Sequence, residues 1–565
     1  MAKVAEKVKF LWSKIVIKFS SSLKDIVFLI VALAIFFGIF LGSRPLSVPD
    51  EGRYTEIPRE MVASGDYLTP HLNGVHYFEK PPLMYWLTSM SIKLFGVNEW
   101  ALRLWPAFLA IFGCLITYHF ASQFYGRSTG ITSSIILASN LLYYGHSRFL
   151  ILDLCFSVCL TAALFSFFLG QKETQKQQFY LYSFFVFAAL ATLSKGLIGI
   201  VLPGMIILLW AGVERRWSAL KFAFHPLGVL LFLIIVLPWH VMISLKNPGF
   251  FDFYFVREHF LRYLTPMHRR EQPFWFFLLV IAVGLFPWVS FVLQSIWAAW
   301  KRVQEKTGLE SFLLVWIVSI FAFFSMSNSK LIPYILPIFP PLCILIGWFI
   351  ARLWDSNGYV YKNRKEVRPF IDFSAICITM IPIIIFVITR WSKWEPETIN
   401  IGVLIIITIL LVGASMVFVL QRLGLFRAAI VSVAVTGSLI MIFGNLVASE
   451  IEGRSIKSLV MTLKERIKGD DIVVSYNRYY QDLPAYLERP VQVVGYLGEL
   501  EFGASQPGGD RWMIKEPKFA ELLKQDKRMY IVTSKNFVPE LVKHYSLNNL
   551  QTIAQTDNDI LIVRE

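Results

Sequence analysis

Charge is scarce in this chain. Of its 565 residues only 16% are Asp, Glu, Lys or Arg, while 56% are hydrophobic and the mean hydropathy is +0.56. That balance excludes an ordinary soluble domain and defines a polytopic membrane protein. Cysteine is also sparse: Cys114, Cys155, Cys159, Cys343 and Cys377 all fall in apolar runs, so neither a disulfide framework nor a thiolate zinc site is readable. The G-x-G-x-x-G and P-loop patterns of nucleotide sites are missing, which argues against direct use of ATP. No internal repeat or low-complexity tract is present. A signal-peptide cleavage site is lacking too: a Lys-rich start precedes apolar "IVFLIVALAIFFGIFLG", but the following "SRPLSVPD" has no A-x-A-like site, so this is a retained first span.

Long hydrophobic runs, by contrast, abound. Thirteen stretches reach toward the ~20 residues needed to cross a bilayer, near 26–42, 99–121, 129–144, 149–170, 178–193, 196–212, 222–246, 272–299, 308–325, 331–351, 369–390, 397–421 and 425–447. The formal charge of +15 is spread over alternate short loops, carrying for example Arg127, Lys172, Lys176, Arg215, Arg216, Lys301 and Arg422. That is the positive-inside pattern, and it replaces a nucleic-acid partner as the explanation of the charge. The opposite loops include two long ones, 43–98 and 247–271, and an odd span count places the tail on their side. From about 450 the composition changes, alternating strand-like "DIVVSY", "VQVVGYL", "MYIVTS" and "ILIVRE" with helix-like "SLVMTLKERIK", "KFAELLKQ" and "VPELVKHY". The expected fold is a polytopic α-helical membrane unit over 1–449, with external juxtamembrane helices, followed by a small α/β domain over 450–565.

The residues able to do chemistry gather on that external side. "SVPDEGRYTEIPREM" follows directly on the first span, and Pro49 at a helix start would put Asp50 in the opening turn with Arg53 and Tyr54 along one face. A carboxylate there is stabilised as an anion and suits a general base or a cation-orienting role; the segment taken alone reads sooner as a solvated helix-start charge. "FEKPP" sets Glu79 and Lys80 before two prolines expected to hold an extended backbone, with the lysine a point charge for phosphate or an interfacial lysine. Asp153, inside an apolar run, would cost several kcal/mol unpaired, and Arg148 or Lys195 could partner it. "REHFLRYLTPMHRR" reads as an amphipathic interfacial helix near anionic head groups, and its His259 together with Glu79 offers two ligands of a type that zinc accepts.

Together these residues resemble a known family, the GT-C membrane glycosyltransferases, in the branch of the aminoarabinose lipid A transferases and their dolichyl-phosphate-mannose-protein mannosyltransferase relatives. The resemblance rests on "DEGRYTEIPREM", "GDYLTPHLNGVHYFEKPPLMYW", "FGVNEWALRLWPA", "RFLILD", "LSKGLIG", "REHFLRY", "SKLIPYILP", "YYQDLPAYL" and "GELEFG", in order through nearly the whole chain. It implies about thirteen transmembrane helices, a periplasmic tail domain, and residence in the bacterial inner membrane. It also implies an undecaprenyl-phosphate-linked sugar donor and lipid A or another envelope acceptor. By motif it implies catalytic roles for Asp50, Asp153 and Lys195, donor-phosphate contacts from Lys80, Arg53, Arg262 and Tyr334, and a divalent metal, zinc, on Glu79 and His259. Two other readings stand beside this one. A protein or envelope-glycan transferase would use a similar donor, whereas a polyprenol-sugar transporter would place its polar groups at mid-membrane and show a repeat between halves.

Overall fold

The computed structural model describes residues 22–261, 271–303, 308–355, 401–423, 425–451, 455–547 and 550–564. Among them, seven helices are long and apolar enough to cross a membrane, or eight if one bent pair counts as a single span. Their burial separates two roles. Leu152–Gly170 is apolar on every side and buried at every position but Asp153, so it is the centre of the bundle; Pro226–Lys246 and Leu404–Arg422 leave much of their apolar surface open to lipid. Several hydroxyls inside the bundle turn back on their own helices, as Thr117 does to the Gly113 carbonyl and Thr161 to that of Ser157.

Several expected runs are interrupted, each for a local reason. The stretch 129–144 divides into Arg127–Ala138 and Leu141–Ser147, because the Asn140 side chain accepts the Tyr143 N–H and starts a new helix. The stretch 272–299 breaks at Pro287 into Phe276–Gly284 and a helical segment over Val289–Arg302, bent by 116°. Helix 22–38 ends short of the 26–42 expectation. The run 369–390 lies outside the described residues.

The tail folds as expected and adds elements the pattern did not reveal. Its sheet runs β5-β4-β3-β6-β8-β7, with β3 (Ile472–Tyr476), β4 (Gln492–Val494), β5 (Met513–Ile514) and β6 (Met529–Ser534) parallel. The antiparallel pair β7 (Leu550–Gln555) and β8 (Asp559–Arg564) closes one edge. A two-stranded hairpin, β1 (His71–Leu72) with β2 (Val75–His76), lies far upstream in the first long external loop.

Paired hydrogen bonds hold tail and bundle together. Asn73 of the hairpin turn donates to the Val491 carbonyl and accepts the Val491 N–H, both at 2.8 Å. Tyr486 accepts the Leu46 N–H at 2.8 Å and donates to Glu99 at 2.9 Å. These contacts bring the loops that follow β3 and β4 toward the external end of the helices.

Candidate active site

The site is built on the turn that follows the first helix. Helix Asp50–Ser64 begins there, with Pro49 as its cap in an α-like conformation (φ −89°, ψ −19°) just ahead of the first turn. Neighbouring acids then take opposite environments: the Asp50 side chain is 58% exposed, while that of Glu51 is wholly buried. Glu51 accepts from Arg103 through both oxygens (2.8 and 2.7 Å), from Arg44 at 3.1 Å, and from the N–H groups of Ser47 and Leu150. Burial pushes its carboxyl pKa up, but Arg103, Arg44 and the Leu150 N–H outweigh burial and hold it below the ordinary value. Arg103 also donates to the carbonyls of Leu41, Arg44 and Pro45, and Arg148 to those of Phe37 and Ile39. Those are orphan carbonyls of the ending helix and its turn. The charged cluster at 50–53 is thus one anchoring acid and one presented acid.

Arg53, a turn beyond Asp50, has three neighbours. It lies 3.5 Å from the Asp50 carboxylate, donates to the Tyr77 hydroxyl at 2.9 Å, and pairs with Glu499 of the tail at 3.0 Å. Asp153 occupies the first turn of Leu152–Gly170 and pairs with Lys195, the last residue of Gln177–Lys195. An anion at one helix N-terminus meets a cation at another C-terminus, so both dipoles favour the pair. Of the two partners expected for Asp153, the fold selects Lys195; Arg148 is spent on the carbonyls of Phe37 and Ile39. Tyr334 places its ring 4.4 Å from the Lys195 ammonium. Lys80 lies 3.8 Å from Glu258 and donates to the Glu79 carbonyl. The second of the two prolines after it is not extended: Pro82 is α-like (φ −87°, ψ −10°) and caps helix Leu83–Phe95.

One cavity of about 510 Å³ joins these groups, lined by Asp50, Arg53, Glu79, Lys80, Asp153, Lys195 and Tyr334 among others. A smaller space of about 110 Å³ shares Lys80, Lys195 and Tyr334 and continues toward apolar Ile198, Phe323 and Phe324. Charged groups thus pass directly into a hydrocarbon-like wall. Of the expected amphipathic helix over 257–270, residues 257–261 are described and lie in a π-helical stretch, Asp252–Leu261, which supplies Arg257 and Glu258 to the cavity; 262–270 lie outside the described residues. His259 lies on that stretch, but its side chain, like all of Arg262, lies outside the description. Among the described residues no three His, Cys, Asp or Glu side chains stand close enough to hold a metal ion.

Residue reading missed Glu499, Glu258 and the tail's share of the wall. Glu499 stands in "GELEFG", a segment quoted for the resemblance but with no spacing that tells of chemistry. Burial raises its carboxyl pKa, and the nearby Arg53 only partly offsets that.

Apolar helices around a charged cavity open to an apolar wall give a multi-pass membrane protein with a site suited to a lipid-linked anion, and the comparisons make its class a membrane glycosyltransferase of GT-C fold. Residues 79–242 match the family model of dolichyl-phosphate-mannose-protein mannosyltransferases, and 459–564 that of the aminoarabinose transferase C-terminal domain. The chain is 28% identical over 513 residues, 88% of its length and 91% of the relative's, to an undecaprenyl phosphate-alpha-4-amino-4-deoxy-L-arabinose arabinosyl transferase of Edwardsiella ictaluri. To the protein of that name from Yersinia pestis it is 30% identical over 385 residues, covering 66% of this chain and 69% of the other. The crystal structure of ArnT from Cupriavidus metallidurans bound to undecaprenyl phosphate superimposes with a TM-score of 0.83 at 25% identity, over 95% of this chain and 97% of that one. The chain belongs to the family of undecaprenyl phosphate-aminoarabinose arabinosyl transferases.

Proposed function

We propose that this protein transfers 4-amino-4-deoxy-L-arabinose from an undecaprenyl phosphate donor to lipid A on the periplasmic face of the inner membrane. The observation that carries this is the cavity itself, where Lys80, Lys195, Asp50 and Asp153 meet beside an apolar exit of the kind a polyprenyl chain needs. The relative solved with undecaprenyl phosphate supports the donor, and the names of the curated relatives support the pentose.

In this reading Lys80 and Tyr334 hold the donor phosphate, and Arg53 and Arg262 add charge nearby. The bond from the anomeric carbon to the phosphate oxygen breaks, and undecaprenyl phosphate leaves with the electron pair, its charge held by lysine. A new bond forms from that carbon to an oxygen of the acceptor. A lipid A phosphate is already an anion and needs no base, so Asp50 orients it or faces the developing oxocarbenium charge. With a hydroxyl acceptor, Asp50 takes the proton instead. Asp153 and Lys195, paired with each other beside Tyr334, complete the charged wall. A zinc ion, if bound, would be held by Glu79 and His259 and would supply Lewis-acid charge beside the phosphate. Two protein ligands fall short of its usual set, and no step above depends on it.

The similarity of 79–242 to protein mannosyltransferases favours one second reading, a protein acceptor for the same donor class. One experiment separates them: purified protein is given undecaprenyl-phosphate-linked aminoarabinose with either lipid A or a mixture of periplasmic proteins. Mass spectrometry should find one aminopentose added to lipid A alone. Transfer only to protein would overturn the first reading.

A further inference from the structure

We infer that Glu499, carried by the tail domain, is a positioning residue for the transfer, acting through Arg53 on Asp50. The inference rests on the reading of Asp50 as the presented carboxylate of the site.

Two independent observations carry it. The first is the chain of charge. Arg53 stands between Asp50 of its own helix at 3.5 Å and Glu499 of the tail at 3.0 Å, with Tyr77 fixing a third side at 2.9 Å. Glu499 is itself held, since its other oxygen accepts from Gln481 at 2.7 Å. Glu499 thus shares the guanidinium with Asp50 and takes the closer of the two ion pairs, which leaves the Asp50 carboxylate loosely held at 3.5 Å and open to the cavity. Without Glu499, the nearest remaining carboxylate for Arg53 is Asp50, and the pair would close up.

The second observation is the fit of the backbones. At Gly52 a β-carbon would come within 2.6 Å of the Gln481 carbonyl carbon and 2.7 Å of the Asp482 nitrogen. The start of the catalytic helix and the segment that holds Glu499 are therefore pressed together with no room for a side chain. Such close approach fixes the distance from Glu499 to Arg53 to within the slack of one contact. The tail, for which residue reading found no chemistry, is in this view a wall of the site.

The test has one arm that needs no substrate. Phenylglyoxal labelling of Arg53, followed by peptide mass spectrometry on the full-length protein in detergent, should run several-fold faster in Glu499→Gln than in the wild type. Unchanged labelling would overturn the inference whatever reaction the enzyme performs. The second arm is kinetic. Glu499→Gln should lower kcat about tenfold while the donor KM stays within twofold, and in an Arg53→Met background it should lower kcat no further. A full additive loss in the double variant, or an unchanged kcat beside faster labelling, would also overturn it. Glu499→Asp keeps the charge and shortens the reach by one methylene. It should fall between wild type and Glu499→Gln in both arms, and it replaces Glu499→Gln should that variant fail to fold.

Discussion

At the scale of single residues, the adjacent acids Asp50 and Glu51 make opposite predictions. Asp50 is exposed to the cavity, so Asp50→Asn should leave thermal unfolding unchanged and lower kcat by roughly 10²- to 10⁴-fold, the usual range for loss of an acid–base or charge-stabilising group. Turnover near wild type would remove Asp50 from the mechanism. Glu51→Gln acts on stability instead, because it strips the buried Arg44 and Arg103 of their shared counter-charge; a loss of about 3 to 5 kcal/mol is expected in detergent unfolding at neutral pH. The sign with pH follows from its depressed pKa. The Glu51 contribution is fully present above the unfolded value of 4.5 and is lost as pH falls through the lower folded value. Glu51→Gln should therefore be less acid-sensitive than the wild type, which a pH series of melting temperatures checks. Lys80→Ala removes a charge-assisted phosphate contact worth ~1.5–3 kcal/mol, so donor KM should rise about tenfold or more. An unchanged donor KM would count against the phosphate role.

At the scale of elements, helix starts do most of the placing. Asp50 and Asp153 both lie in opening turns, and Lys195 closes its helix. Each charge thus projects from a helix end rather than from a helix middle. A close joint between the bundle and the tail is Gly52 against the Gln481–Asp482 backbone. Gly52→Ala must push the two apart, and overpacking of this kind costs about 1–3 kcal/mol. A lower melting temperature is expected, with activity falling more than folding alone explains, because the Arg53–Glu499 distance grows with the gap. A variant with wild-type stability and turnover would mean that the joint is slack.

At the scale of the whole molecule, the cavity, the hairpin and the tail lie at one end of the bundle, and the described 171–176 turn joins the opposite ends of the helices that carry Asp153 and Lys195. Cysteine introduced at exposed Ser505 should react with an impermeant maleimide once the outer membrane is opened. Cysteine at exposed Thr174, in the basic 171–176 turn, should react only after the inner membrane is breached. The described native cysteines are buried, so the background should be low. Reversed labelling would place the cavity in the cytoplasm and end the periplasmic reading.

The sequence by itself determined the membrane class, the uneven spread of charge among its loops and the strand–helix alternation of the tail. Those depend on composition and on periods of two and 3.6, which are local properties. It also picked out Asp50, Lys80, Asp153, Lys195 and Tyr334, because a charge or hydroxyl at the edge of an apolar run is costly enough to be conspicuous. Which partner each would take was decided only by tertiary structure. Asp153 could have met Arg148 or Lys195, and the choice followed from carbonyls at the end of the first helix that claimed Arg148. Glu51 differs from its neighbour Asp50 only because Arg44 and Arg103 close around it. Glu499 gave no signal at all, since nothing local distinguishes a surface glutamate of an α/β domain from one that packing across several hundred residues of chain has set against Arg53.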